Sequence, residues 1–427
     1  MLFYKLTICY NSTMKKPELL LPAGSLSKLK IALLYGADAV YAGVADTSLR
    51  ARSKFSLADI QEGIIFAHSL GKKVYLTLNL FTHNKDIANI ENFIKTIKTL
   101  SPDGIIISDP GVFDYIKKEL PQVPIHISTQ ANVCSWLTVN FWQNLGASLC
   151  VLGREVSFLE TKEIREKCKN IKLEVFVHGA MCISYSGRCL LSAFMASRSA
   201  NRGACAHSCR WKYKSKLLME EELKPGEYLE MQEDDKGTYI LNSKDLCLMP
   251  TLNKLIEIGI DSFKIEGRTK SEYYVAQTAR VYRKAIDDYF NNPQNWDPNL
   301  YMRELLTLQN RGYTLGFFNG IPNNTAQDYN ETLSKSDYRN AGIIIDNQDK
   351  MLIIELKHKL KKGDEIEILS PHQFEPIKIV LNEIYNTDNY RLVETLAPGK
   401  INQSIKIPCN HNVSLLPKQT IIRLKIK

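Results

Sequence analysis

Eight short apolar runs, spaced between stretches of helical periodicity, constrain this chain more than any other feature. The runs are PELLLP (17–22), DAVYAG (38–43), KVYLTLN (73–79), DGIIISD (103–109), PIHISTQ (124–130), SLCVLGR (148–154), KLEVFVHG (172–179) and DSFKIEG (261–267). Most are apolar through their centres, the pattern of parallel strands covered on both faces. Between them lie amphipathic segments. Leu57, Ile60, Ile64, Ala67 and Leu70 share one helical face behind a Ser56 cap, and Ile87, Ile90, Ile94, Ile97 and Leu100 share another. Glycines at 36 and 71 end helices and lead into the next run. Eight strands alternating with helices point to an α/β fold, a (β/α)8 TIM-like barrel. A doubly wound open sheet is the competing arrangement, but no G-x-G-x-x-G follows the first run and there is no P-loop.

The alternation is interrupted after the seventh run. Residues 180–260 form a Cys-, Gly-, Arg- and Ser-rich insertion, and its part from 215 to 236 is strongly acidic. A helix over 271–290 follows the eighth run, then an Asn/Pro-rich stretch, and from about Arg339 the hydrophobic period becomes two. The expected layout is an N-terminal extension (1–15), a barrel (16–292) carrying the Cys-rich insertion, a helical linker (293–338), and a small C-terminal β domain (339–427) of barrel-like character. Turns are expected at Asp346-Asn347 and Gly363-Asp364. At 427 residues, 44% apolar and 24% charged, the chain can bury a sizeable core. No apolar run reaches the roughly 18 residues a membrane span needs, and the N-terminus lacks the apolar stretch and cleavage site of a signal peptide. We expect a cytoplasmic protein with no membrane partner. A net charge of +9 suits a polyanionic partner, although scattered solvated cations give the same total.

Ten cysteines without a secretion signal argue for reduced thiols. Cys9, Cys134, Cys150, Cys168 and Cys409 stand singly, as small buried hydrophobes do. Four others fall in HGAMCISYSGRCLLSAFMASRSANRGACAHSCRW with spacing C-x6-C-x15-C-x3-C: Cys182, Cys189, Cys205 and Cys209. Four thiolates from one segment can ligate a [4Fe–4S] cluster. Gly179, Gly187 and Gly203 allow close backbone approach, and Arg188, Arg202 and Arg210 offset a cluster's negative charge. A structural zinc site is the alternative, but it usually shows two close C-x2–4-C pairs, and only Cys205/Cys209 makes one here. Cys247, in LNSKDLC, is a substitute ligand or a buried helix residue.

Barrel enzymes place their chemistry at the C-terminal ends of the strands. Polar residues expected there are Asn79, Asp109, Gln130, Arg154, Glu155, His178, Lys264, Glu266 and Arg268, with Arg50 and Arg52 after the second run. We take His178, Arg154, Glu155, Lys264, Glu266 and Arg268 as the catalytic candidates. His178 is the leading acid/base group, and His83, His126 and His207 are weaker ones. Converging Arg and Lys suit a small carboxylate or phosphate. Rim salt bridges explain any one of these charges as well. No G-x-S-x-G or H-E-x-x-H is present, although a His178/Cys182 pairing leaves Cys–His catalysis open. Basic-aromatic stretches at Arg210-Trp211-Lys212-Tyr213-Lys214, and Tyr273, Tyr274, Arg280, Tyr282, Arg283 and Lys284, offer stacking and phosphate contacts, or pack against the barrel.

The segments PELLLPAGSLSKLKIALLYGADAVYAG, FVHGAMCISYSGRCLLS, NRGACAHSCRW and YILNSKDLC…FKIEGRTKS resemble the collagenase-like peptidase family, the U class of unknown catalytic type. The resemblance covers about residues 16–425, and is strongest to members that hydroxylate tRNA. It implies conversion of the tRNA wobble uridine to 5-hydroxyuridine, a [4Fe–4S] cluster on Cys182, Cys189, Cys205 and Cys209 (with Cys247 in place of Cys209 as the alternative), and prephenate as co-substrate. Other members imply hydroxylation of a ribosomal RNA cytidine, or peptidase activity. The chain is short between the last cysteine pair and YILNSKDL compared with those tRNA-hydroxylating members, which bears on any substrate contact made by that piece.

Overall fold

The computed structural model describes residues 14–43, 55–182, 184–196, 198, 200, 205–210, 219–220, 228–229, 232–234, 237–239, 243–322, 336–348, 350–387, 391–398, 403–411 and 416–426. Eight parallel strands close a barrel: β1 (Glu18–Ala23), β2 (Ala39–Ala42), β3 (Lys73–Leu78), β4 (Gly104–Ile107), β5 (Ile125–Ile127), β6 (Leu149–Val151), β7 (Lys172–Ala180) and β8 (Ser262–Ile265). Each pairs with the next, and β8 pairs with both β7 and β1. The eight runs read from sequence are these eight strands.

Alternation along each strand divides the core in two. Leu19, Leu21, Val40, Val74, Ile105 and Phe263 point outward into the layer filled by the helices. Leu20, Ala39, Tyr41, Tyr75 and Ile106 fill the barrel interior. Helix ends follow local sequence. Ser56 caps the helix Leu57–Ser69 with a reciprocal Asp59 bond, and Ser157 with Glu160 does the same for Phe158–Lys167.

Two departures matter for the site. A register shift in the β7–β8 pairing sets Ile265 opposite His178, so the end of β7 leaves the strict alternation. The strand Asp245–Cys247, which the sequence placed in the insertion, then pairs antiparallel with Gly179–Ala180 and His178 and carries Tyr313–Thr314 on its far edge.

The C-terminal part is a seven-stranded antiparallel sheet built on Tyr338–Gln348, Met351–Leu356 and Ile421–Lys425, with its own apolar cluster. The expected turn at Asp346-Asn347 lies elsewhere: the strand continues to Gln348, because a bulge between Ile344 and Asp346 restores pairing of Asn347 with Leu352. The sheet is fastened to the barrel's outer helices. Arg423, 2% exposed, bonds Glu367 at 2.7 Å and Glu304 at 3.1 Å, and Arg280 meets the same Glu304 carboxylate at 3.3 Å.

Candidate functional site

The loops after β5, β6 and β7 rise around a cavity of about 270 Å³ at the C-terminal mouth of the barrel. Thr129 and Gln130, Arg154 and Glu155, and Met181 and Cys182 line it from successive strand ends. Cys189 and Cys205 line it from the insertion. Three of the four predicted thiols therefore share one cavity with three of the predicted polar residues, Gln130, Arg154 and Glu155. Desolvation raises the Cys182 thiol above its ordinary value, Cys189 and Cys205 raise it further, and the Ser184 backbone and the Arg154 guanidinium act against them. Cys209 sits on the short turn Ser208–Arg210, which packs against the helix Leu191–Ala196. Among the described residues, no three His, Cys, Asp or Glu side chains are gathered as they would be around a bound metal ion.

The loop bearing the first two cysteines is tied down at two points. The Glu155 carboxylate accepts from the Ser186 backbone N–H at 3.1 Å and the Ser186 hydroxyl at 3.0 Å, and also from Asn132 at 2.6 Å. On the other side Gly187, at φ +72°, lies against the Gln130 backbone, where a Cβ would come within 2.7 Å of the carbonyl oxygen. Only glycine meets both requirements. Glu155 thus acts on the cysteine loop.

Arg154 donates to the Ala180 carbonyl at 2.6 Å and lays its guanidinium 4.2 Å from the Phe176 ring centre. The same side chain lines the cavity. Lys264 lies deeper, 4% exposed, bonded at 2.6 Å to Glu174, which also accepts from Ser262. Burial drives its ammonium down and Glu174 opposes this. Arg268, 9% exposed, donates to Thr77 at 3.0 Å. Neither lines the cavity, so of these three cations only Arg154 does. Glu266 is buried, with its backbone joined to His178 and Tyr274.

His178 is not at the mouth. The irregularity in β7 puts its ring among Tyr274, Tyr282 and Tyr313, with centroids 5.3–5.8 Å away, and burial lowers its imidazole to about 4. It does not line the cavity with Cys182, so the Cys–His pairing left open by sequence is not formed. Cys247 is likewise packed in the core, 3.7 Å from the Tyr282 hydroxyl and 3.6 Å from the Met302 sulfur, away from the other thiols.

Other candidates resolve structurally. Asp109 caps the helix Pro110–Glu119, and His83 starts the short turn Asn84–Asp86, its backbone N–H donating to the Asp86 carboxylate at 2.9 Å. His126 is buried in the barrel, its imidazole pushed to about 3. His207 is exposed beside Cys205. Asn79 bonds Ser128 and Gln130. Tyr273, Tyr274, Arg280 and Tyr282 are buried against the barrel, and Arg283 and Lys284 are paired with aspartates, so this helix presents no basic-aromatic face. Arg50, Arg52, Arg202, Gly203 and residues 211–214 lie outside the described residues, as does the Arg210 side chain. What sequence reading missed is the turn Tyr185–Arg188, which lies between two cysteines already singled out. No helix among the described residues is long and apolar enough to cross a membrane.

Comparison with known proteins places this site in a family. The pattern of peptidase family U32 matches residues 24–328, and that of the peptidase family U32 C-terminal domain matches residues 336–423. The chain is 39% identical over 396 residues to the tRNA hydroxylation protein P of Escherichia coli (strain K12), covering 84% of this chain and 87% of that one. It is 40% identical over 391 residues to the tRNA hydroxylation protein P1 of Bacillus subtilis (strain 168), covering 91% of each. It is also 33% identical over 276 residues to the E. coli 23S rRNA 5-hydroxycytidine C2501 synthase, covering 63% of this chain and 39% of that protein.

Proposed function

The chain belongs to peptidase family U32, and from that membership we propose that it is an RNA-modifying enzyme that hydroxylates a nucleobase, in its specific form the tRNA wobble uridine, giving 5-hydroxyuridine. The observation that carries this reading is the identity of about two residues in five, over most of both chains, with relatives named for tRNA hydroxylation. A ribosomal RNA cytidine is the alternative substrate, supported by the lower and shorter identity to the 5-hydroxycytidine synthase. Peptidase activity is a further alternative, supported by the family name and by relatives named as an uncharacterized protease of Methanocaldococcus jannaschii and a collagenase of Porphyromonas gingivalis. The buried His178 does not line the cavity with Cys182, so no Cys–His pair is formed there.

The cofactor of this proposal is a [4Fe–4S] cluster held by Cys182, Cys189, Cys205 and Cys209. What supports this donor set is that three of the thiols line one cavity, Cys209 lies four residues after Cys205, and Arg154 is near enough to Cys182 to act on it, while among the described residues the side chains are not gathered as around a metal ion. A cluster bound there would supply electron transfer or a Lewis-acidic iron. The chain's own contribution is positioning. Glu155 fixes the cysteine loop, and Arg154 would hold the carboxylate of a small co-substrate, prephenate in the specific form of the proposal. Lys264 and Arg268 would act behind it, keeping the barrel interior ordered and dry.

Two measurements test this. Nucleoside analysis of tRNA from a strain lacking the gene should lose 5-hydroxyuridine and its derivatives, and an unchanged profile removes the tRNA assignment. Protein purified without air should carry iron and acid-labile sulfide that Cys182→Ala abolishes. A colourless, metal-free protein under those conditions rejects the cluster.

A further inference from the structure

Tyr185 and Arg188 stand at the two ends of a four-residue turn beside the cysteine-lined cavity. The turn is closed by the Arg188 N–H donating to the Tyr185 carbonyl at 3.0 Å, with Gly187 at positive φ in the third position. Tyr185 is 66% exposed and also lines the cavity. A large aromatic ring left in water needs a reason when the backbone beneath it is fixed, and here it is fixed twice. Glu155 binds both the amide and the hydroxyl of Ser186, and Gly187 is wedged against Gln130. The ring is therefore presented at a set position instead of being a side chain that failed to find a core.

Arg188 is exposed as well. It sits 5.5 Å from the Phe81 ring centre and donates to the Gly187 carbonyl at 3.3 Å. Leu190, 74% exposed, extends the same loop. An aromatic face, a cation stacked on a second aromatic ring and a neighbouring apolar side chain, all at the mouth of a cavity, match what an unstacked base and its phosphate require. An acidic peptide would use the cation but has no need of the ring, and the chain's net charge of +9 favours a polyanion.

We infer that Tyr185 and Arg188 form a platform for single-stranded RNA, with Tyr185 stacking on the base that enters the cavity and Arg188 meeting an adjacent phosphate. This inference rests on the RNA-modifying reading and adds to it the residues that receive the base. No bond is made or broken by either residue.

The test is equilibrium binding of the intact protein to a fluorescent single-stranded oligouridine RNA and to unmodified tRNA, at several salt concentrations. Tyr185→Ala should weaken oligouridine binding about 10-fold, within the range for loss of one base–aromatic stack, while Tyr185→Phe stays within about 2-fold of the parent. Arg188→Ala should weaken binding and reduce the slope of log affinity against log salt by about 1. Circular dichroism and thermal midpoints like the parent's show that the variants are folded, as expected for exposed side chains. If the parent binds both RNAs and Tyr185→Ala binds as tightly, the platform is wrong while the RNA reading stands. If the parent binds neither RNA, both fail. Tyr185-dependent binding of denatured collagen in place of RNA would overturn the inference in favour of a peptide substrate.

Discussion

At the scale of single residues, burial decides which polar groups can do chemistry. His178 reads in sequence as an acid/base candidate beside the cysteines, yet its ring is packed among three tyrosines and its imidazole titrates at about 4. The consequence is for stability. The unfolded chain takes up this proton near 6.5 and the folded chain only near 4. Below 6.5 the unfolded state therefore binds more protons, so the stability associated with His178 is complete above 6.5 and falls as the pH drops toward 4. At about 1.4 kcal/mol per pH unit, acidification from 6.5 to 5 should cost roughly 2 kcal/mol from this residue. His126, pushed to about 3, acts in the same sense. Urea unfolding at pH 7 and pH 5 checks this. His178→Phe keeps a ring in the aromatic cage, and Tyr282 retains its bond to the Val177 carbonyl, so the variant should lose part of the acid-dependent drop. A drop identical to the parent's would contradict the assignment.

At the scale of elements, the cysteine loop depends on the strand ends beneath it. Glu155 leaves β6 and receives two hydrogen bonds from Ser186 in the loop after β7. Removing that acceptor leaves a backbone N–H and a hydroxyl unpaired, at a cost of about 1–3 kcal/mol. Glu155→Ala should therefore loosen the turn and speed alkylation of Cys182 and Cys189 in metal-free protein, read by mass spectrometry. Glu155→Gln, which still accepts through its amide oxygen, should stay close to the parent. Equal alkylation rates in Glu155→Ala and the parent would mean that the clamp does not order the loop.

At the scale of the whole molecule, a buried ionic network joins the C-terminal sheet to the barrel. Arg423 from the last strand and Arg280 from the helix Glu272–Asn291 converge on Glu304, and Arg423 also meets Glu367. Burial tends to raise the Glu304 carboxyl, but the two arginines hold it below its usual value. Tyr35 adds a second fastening, donating to the Leu369 carbonyl at 2.5 Å and accepting from the Ile421 N–H at 2.8 Å. Taking one partner from a buried network leaves uncompensated charge and costs about 3–5 kcal/mol. Glu304→Ala should therefore lower the thermal midpoint and separate the unfolding of the sheet from that of the barrel, seen by calorimetry as a second transition. A single unshifted transition would show that the network does not couple the two parts.

The eight strands were legible in the sequence because burial on both faces demands apolar runs, and these alternate with stretches of helical period. The cysteine spacing likewise made its loop visible, since thiols so concentrated need a common explanation. What the sequence left open was which side of a wall each polar residue faces. One register irregularity in β7 turns His178 outward into tyrosines, and pairing with the strand Asp245–Cys247 takes Cys247 into the core. Lys264 and Arg268 share the KIEGR segment with strand-end residues, but their partners Glu174 and Thr77 come from β7 and β3. Tyr185 gave no periodic signal, because its importance comes from exposure over a cavity that forms only when three strand ends and the insertion meet. Local pattern reports whether a residue can be buried, while the partner it is buried with, or the cavity it is left facing, is fixed by contacts between segments far apart in the chain.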